Sequence, residues 1–287
     1  MTQSYLITGA STGIGEACAL ELDRLGHRVF AGVRKAADGE RLAGRASERL
    51  IWLILDVTKP DEIAAGVTAV DDIVGDAGLD GLVNNAGVAV GGPLEYVPLD
   101  QVRFQFDVNV FGLLAVTQGF LPALRRATGR IVNIGSIAGR ATTPLVGPYC
   151  ASKHAVEAIT DALRLELADA GIQVSVIEPG VVQTPIWDKG AEQLSTVGER
   201  LPAAALERYG GKLKAFTHLL ASNRHGGVPA ATVAKAVLHA LTSKSPKTRY
   251  VIGRDAKVRS QIARFLPDRV LDILILGFLR RMERKFS

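Results

Sequence analysis

The sequence predicts a doubly wound α/β fold, one parallel sheet with helices on both faces. Three observations predict it. Short apolar runs of four to eight residues, rich in Val, Ile and Leu, alternate with helix-length segments. The runs lack the polar alternation of a half-exposed sheet, which is how strands buried on both faces read. A glycine-rich turn joins the first run to the first helical pattern, as in the open α/β sheets that bind ligands at their carboxyl edge.

Each element follows in order. Residues 5–8 form the first run and 14–25 the first helical pattern. Runs at 28–33, 50–57 and 81–84 supply the second to fourth strands. A helical pattern over 99–126 precedes the fifth strand at 130–134, and one over 148–170 precedes the sixth at 172–177. A helical pattern at 230–241 then leads to 250–253, placed to close the sheet as a seventh strand. Two stretches break the rhythm. Residues 185–228, Gly-rich with scattered large side chains, insert after the sixth strand and are expected to form a substrate lid. Residues 254–287 form a basic, apolar tail. No linker or repeat divides the chain, so 1–287 reads as a single domain.

Composition narrows the function. Hydrophobic residues make up 47% and charged residues 22% of the 287, which excludes disorder, collagen-like repeats and a coiled coil. Cys18 and Cys150 are too few for a disulfide framework or a four-cysteine zinc site, and the histidines show no metal-ligand spacing, so no metal is expected. The strand-like run that begins by Ser4 leaves no room for a signal peptide, and a reducing, cytoplasmic setting is expected. The net charge is +5, yet 247–287 alone carry eleven Lys/Arg against four Asp/Glu, leaving −2 for the rest. The body is therefore no nucleic-acid reader. The apolar run 270–279 contains Asp272 and falls short of the ~20 residues that span a bilayer, so no transmembrane helix is expected.

The first turn reads Thr8-Gly9-Ala10-Ser11-Thr12-Gly13-Ile14-Gly15. Glycine lets the backbone turn tightly and approach a pyrophosphate, while the helix N-terminus offers free N–H groups and a favourable dipole. Further along stand Asn84-Asn85-Ala86-Gly87, Asn109 in NVFG, Ser136 in NIGS, Tyr149-x3-Lys153, and Pro179-Gly180 with Thr184 five residues after the proline. With these motifs in this order, and thirteen residues from Ser136 to Tyr149, the chain resembles a classical short-chain dehydrogenase/reductase over about residues 4–253. The resemblance implies a Rossmann-type fold and a nicotinamide coenzyme. The stretch RVFAGVRK, the run from Gly139 to Leu167 and the long tail resemble the hydroxysteroid and retinol dehydrogenase branch.

The chemistry can be argued residue by residue. Interconverting an alcohol and a carbonyl requires proton transfer at the oxygen. Tyr149 can be the acid/base, and Lys153, one helical turn later on the same face, is expected to lower its pKa. Ser136 is expected to hydrogen-bond the substrate oxygen. By resemblance, Asn109 holds a water that links Lys153 to solvent, and Lys153 also bonds the nicotinamide ribose. The resemblance further implies pyrophosphate contact at Ile14 within the turn formed by Gly9, Thr12, Gly13 and Gly15. It places Asp56, with Val57 beside it, at the adenine amine, and Asn85, Ala86 and Gly87 beside the adenine ribose. Pro179, Gly180, Val182 and Thr184 fall at the nicotinamide. Coenzyme choice has its own electrostatic signal. Enzymes that select NAD end the second strand with a carboxylate for the ribose hydroxyls. Here Arg34 and Lys35 follow Val33 instead, and Ser11 adds a hydroxyl, which suits the 2′-phosphate of NADP(H).

The expected function is NADP-dependent reduction of a ketone or aldehyde on a hydrophobic small molecule such as a steroid, retinoid or other lipid. Two alternatives stay open: a 3-oxoacyl carrier-protein reductase, and a non-catalytic NADP-sensing regulator. A homodimer or homotetramer is expected, joined through the helical patterns at 99–126 and 148–170, with Ala151, Ala155, Ala158, Ala162, Phe104 and Leu113 as contributors. The tail at 267–285, apolar and then cationic, either touches a membrane surface or packs over the lid or a neighbouring subunit.

Overall fold

The computed structural model describes residues 2–286. Strand β1 (Ser4–Ile7) leads through the glycine turn to helix α1 (Gly13–Arg24), then β2 (Arg28–Val33), α2 (Ala36–Ala43) and β3 (Leu50–Ile54). Helix α3 (Pro60–Val74) opens with proline in its first turn and Asp61 and Glu62 close behind, the residue types that suit a helix N-terminus. The chain continues through β4 (Gly81–Asn84), α4 (Leu99–Phe106), α5 (Leu113–Ala127), β5 (Arg130–Ile134), α6 (Gly147–Glu166) and β6 (Gln173–Pro179). After β7 (Val182–Gln183) come α7 (Ile186–Arg200), α8 (Ala203–Gly226), β8 (Val228–Pro229), α9 (Ala230–Thr242), β9 (Arg249–Ile252), α10 (Arg254–Phe265) and α11 (Asp268–Phe286).

The main sheet has seven parallel strands in the order β3-β2-β1-β4-β5-β6-β9. Alternate residues feed the two faces: Tyr5, Ile7, Val29 and Ala31 belong to one core, Leu6, Phe30, Leu82 and Ile131 to the other. The strand order reverses between β1 and β4, so a crevice opens at the carboxyl ends of those strands, where such sheets bind ligands.

Three expected segments take a different form. The pattern over 99–126 is interrupted by a π-helical turn, Asp107–Gly112, which carries Asn109; such turns recur at functional sites. The stretch Leu99–Ala127 is long and apolar enough to cross a membrane, but 56% of its most apolar window is buried here, as in a core helix. The lid is helical. It is the helix pair α7 and α8, anchored at its base by a two-stranded sheet of β7 and β8, with its own core of Leu145, Leu194, Val197, Leu213, Phe216 and Leu220. The tail is two helices, and α11 packs on α8 of the lid. Leu279 of α11 is buried, while Ile273, Leu274 and Phe278 stay exposed.

Candidate active site

A cavity of about 600 Å³ runs along the carboxyl edge from the glycine turn to the lid. At its first end the backbone shapes the wall. Gly9 and Gly13 both take φ +64°, a region that penalises any side chain. A Cβ on Gly9 would lie 2.8 Å from the Ala86 Cα, and one on Gly13 would lie 3.0 Å from the Thr184 methyl. Thr12 caps α1 without a side-chain hydrogen bond, so the first turn keeps its N–H groups for a ligand. Asn85 ties the turn to the sheet by donating to the carbonyls of Thr8 (2.9 Å) and Gly9 (3.0 Å). Asn84 does a different job, donating to Thr117 of α5 and Asn133 of β5.

Arg34, exposed at the end of β2, and Asp56, after β3, share the next part of the wall. Partial burial works against the Asp56 charge. Hydrogen bonds from the Thr58 amide (3.0 Å) and hydroxyl (2.8 Å), with the Arg34 and Lys59 charges, still hold its carboxyl below the ordinary range. Arg41, which sequence reasoning missed, reaches back from α2 to the Ser11 carbonyl and to Glu16 (2.9 Å), bracing the turn from outside. Its signal lay only in helical spacing that brings α2 against the turn.

Ser136 leaves the end of β5, its hydroxyl accepting from the Ala138 amide at 3.1 Å, and Tyr149 and Lys153 share one face of α6. Burial raises the Tyr149 phenol above its usual pKa, and a hydrogen bond with Ser136 opposes that rise. Lys153 is buried beside it, its Nζ donating to the Ile134 carbonyl at 2.7 Å and lying 5.8 Å from the tyrosine ring centroid. Burial pulls its pKa down to about 8, with Glu157 working the other way. The hydrogen bond with Ser136 thus eases ionisation of the phenol.

Beyond Tyr149 the lid's share of the wall is mainly apolar, with Gln193 its polar member. Trp187, Leu194, Phe216, Leu219 and Leu220 face the cavity from the lid. Phe216 and Leu220 belong to the lid's core as well, so the same side chains hold the lid together and line the space beneath it. Trp187 is fixed by donating from Nε1 to the Val182 carbonyl at 2.5 Å. Cys150, adjoining Tyr149, is a buried free thiol.

Comparison with known proteins accords with this geometry. The short chain dehydrogenase family model matches residues 3–195. The chain belongs to the short-chain dehydrogenase/reductase family. It falls in the branch of the retinol and hydroxysteroid dehydrogenases: retinol dehydrogenase 5 of Mus musculus is 39% identical over 98% of this chain and 90% of its own length. The 17-beta-hydroxysteroid dehydrogenase type 6 of Bos taurus is 39% identical over 94% and 86%. An NADPH-dependent 3-dehydrocapnine reductase of Ornithobacterium rhinotracheale is 34% identical over 98% of both chains. A short-chain dehydrogenase structure from Streptomyces avermitilis superposes with a TM-score of 0.78 at 26% identity, covering 98% of each chain.

Of the family positions predicted from sequence, all reach the cavity wall except Gly15 and Asn109. A side chain on Gly15 would strike the Gly9 carbonyl and the Asn85 amide, so this glycine serves packing within the turn. Asn109 is buried behind Val88. Its Oδ1 accepts from the Val88 amide (2.9 Å), and its Nδ2 donates to the Val88 carbonyl (3.0 Å) and the Ser152 hydroxyl (3.1 Å). Both of its amide hydrogens are engaged with protein.

Proposed function

We propose that this short-chain dehydrogenase/reductase is an NADP(H)-dependent enzyme that reduces a ketone or aldehyde on a hydrophobic molecule of steroid, retinoid or other lipid type. One observation carries the reading. A single cavity runs from a carboxylate-free β2 end bearing Arg34, past Ser136 and Tyr149, to an apolar lid. The positive-φ glycines and the uncapped α1 terminus fit a pyrophosphate, and Arg34 fits a 2′-phosphate. Bound there, the coenzyme supplies the hydride. The protein's own residues handle the oxygen. Ser136 donates a hydrogen bond to the carbonyl oxygen, and Tyr149 gives it the phenolic proton as negative charge develops. Lys153 positions and neutralises the phenolate left behind. The name of the Ornithobacterium relative and its coverage support NADPH as the coenzyme.

The decisive experiment is a substrate panel of retinal, a ketosteroid, a medium-chain aldehyde and an acyl-carrier thioester, followed by NADPH absorbance. Reduction of the lipophilic carbonyls is the expected result. Preference for the thioester supports a carrier-protein reductase, and coenzyme binding with no turnover supports a regulator.

The same reading extends to the surface. A homodimer or homotetramer is proposed through α4, the π-helical turn, α5 and α6, where Leu99, Phe111 and Leu165 are more than half exposed; Leu113 is buried and takes no part. The exposed Ile273, Leu274 and Phe278 of α11, followed by Arg280, Arg281, Arg284 and Lys285, suit contact with an anionic membrane on the face turned away from α8. Sedimentation at one-chain mass contradicts the assembly. Equal liposome flotation with and without residues 267–287 contradicts the membrane contact.

A further inference from the structure

The substrate half of the cavity carries a charge that the proton chemistry does not use. Helix α10 is docked over the end of β6 by Asp255, which accepts from the Val181 amide at 3.0 Å. One turn later Arg259 is half-buried and lines the cavity together with Thr143, Val146 and Tyr149. Its Nη2 donates to the Ala141 carbonyl (3.2 Å) and the Thr143 hydroxyl (2.9 Å). Among the described residues no carboxylate pairs with it.

The charges along the wall are distributed unevenly. Asp56, the sole carboxylate among the described lining residues, lies at the adenosine end beside Arg34. The remaining charged groups, Lys153 and Arg259, are both cationic. The Arg259 charge is felt at the thiol of Cys150, the neighbour of Tyr149, where it favours the thiolate against burial. From the lid the wall receives Ile186, Trp187, Leu194, Phe216, Leu219 and Leu220. Two neutral acceptors satisfy part of a guanidinium's hydrogen bonding and none of its charge, and an unpaired cation facing a partly desolvated space gains most from an anion. Arg259 presents a planar fork suited to two oxygens of one oxyanion.

We infer that the substrate is an amphiphile bearing an oxyanion (carboxylate, sulfonate or phosphate) on a short arm from the reacting carbonyl, gripped by Arg259, with its apolar chain beneath the lid. This rests on the reading of the site as a carbonyl reductase. It adds that, among lipophilic carbonyls, those carrying such an anion are the better substrates. Arg259 would be a specificity-determining residue contributed by the segment beyond β9.

A matched ten-carbon series tests it: 2-decanone, 2-oxodecanoate, 2-oxodecane-1-sulfonate and 2-oxodecyl phosphate. Each is assayed with NADPH and also titrated calorimetrically into the NADP-loaded protein, for wild type, Arg259→Gln and Arg259→Lys. The glutamine keeps an amide donor for Ala141 and Thr143. Wild type is expected to favour one of the oxyanion ketones over 2-decanone by about tenfold or more, and the preferred one identifies the headgroup. Arg259→Gln should lose roughly ten- to hundredfold on that compound, mainly in KM, and stay within about twofold on 2-decanone, with partial rescue in Arg259→Lys. Equal losses on charged and neutral ketones would make Arg259 a strut for α10 and overturn the inference, as would a wild-type preference for 2-decanone. If no ketone is reduced, the carbonyl-reductase reading fails. Calorimetry still decides the Arg259 assignment: anion-dependent binding that Arg259→Gln abolishes supports it, and binding indifferent to the anion overturns it.

Discussion

Gly9 and Gly13 shape one end of the cavity through the backbone, whereas Leu194, Phe216 and Leu220 shape the other through side-chain volume. At the first end a methyl group has no room, and the hydrogen bonds from Asn85 hold the turn to the sheet. At the second end, the residues that line the space are also the core of a helix pair that stands apart from the two sheet cores. The coenzyme end is thus dictated by residue type. The lid end can exchange one apolar side chain for another and change which substrate fits, leaving the chemistry alone. Tyr149 sits where the two meet.

If that division holds, the variants should separate cleanly. Tyr149→Phe removes the proton donor and little else. It should lower turnover about 10²- to 10⁴-fold while NADPH affinity by fluorescence stays within a few fold. Turnover near wild type would break the assignment of Tyr149 to the junction. Phe216→Ala empties part of the lid core at a local cost of ~3–5 kcal/mol. Its effect should appear in KM for a lipophilic carbonyl, roughly tenfold, and not in NADPH affinity; a matching loss of coenzyme binding would show that the two ends are mechanically one. The smallest effect is in pH. Lys153 is pulled down to about 8 from an ordinary 10.5, so above pH 8 the folded protein holds fewer protons than the unfolded chain. Stability from this group should therefore rise with pH between about 8 and 10.5, and the rise should vanish in Lys153→Met. Reductive kcat/KM should fall through the same region as the ammonium loses its proton, and oxidation should not. Chemical denaturation and initial rates at a series of pH values read both trends.

The same division explains what the sequence disclosed. The seven main-sheet strands are legible because burial on both faces leaves only apolar residues, and β2 was bounded to the residue. The turn from Gly9 to Gly13, Tyr149 with Lys153, and Arg34 are legible because backbone conformation or charge admits few substitutes at those spacings. The π-helical turn at Asp107–Gly112 is not, since one extra residue in a helical turn leaves the apolar pattern almost unchanged. Nor are the short β7–β8 pairing and the helical lid, because 185–228 mixes glycines with large side chains, whose order comes from the Leu145 and Phe216 cluster. Lys153 was expected to lower the tyrosine pKa. Its own burial, and its hydrogen bond to the Ile134 carbonyl, depend on how α6 meets β5, which spacing alone does not report. Arg259 was hidden for the same reason: its place in the cavity exists only once α10 docks on Val181.

The claim that binds these points together is that the coenzyme end is set for a 2′-phosphate by Arg34 and by the absence of a carboxylate at the end of β2. Fluorescence titration of the wild-type protein with NADPH and NADH measures it without any knowledge of the substrate. Charge-assisted hydrogen bonds of ~1.5–3 kcal/mol each predict NADPH binding about ten- to hundredfold tighter. Arg34→Ala should erase most of that margin, and Val33→Asp combined with Arg34→Ala should invert it. Equal affinity of the unmodified protein for the two coenzymes would contradict the account.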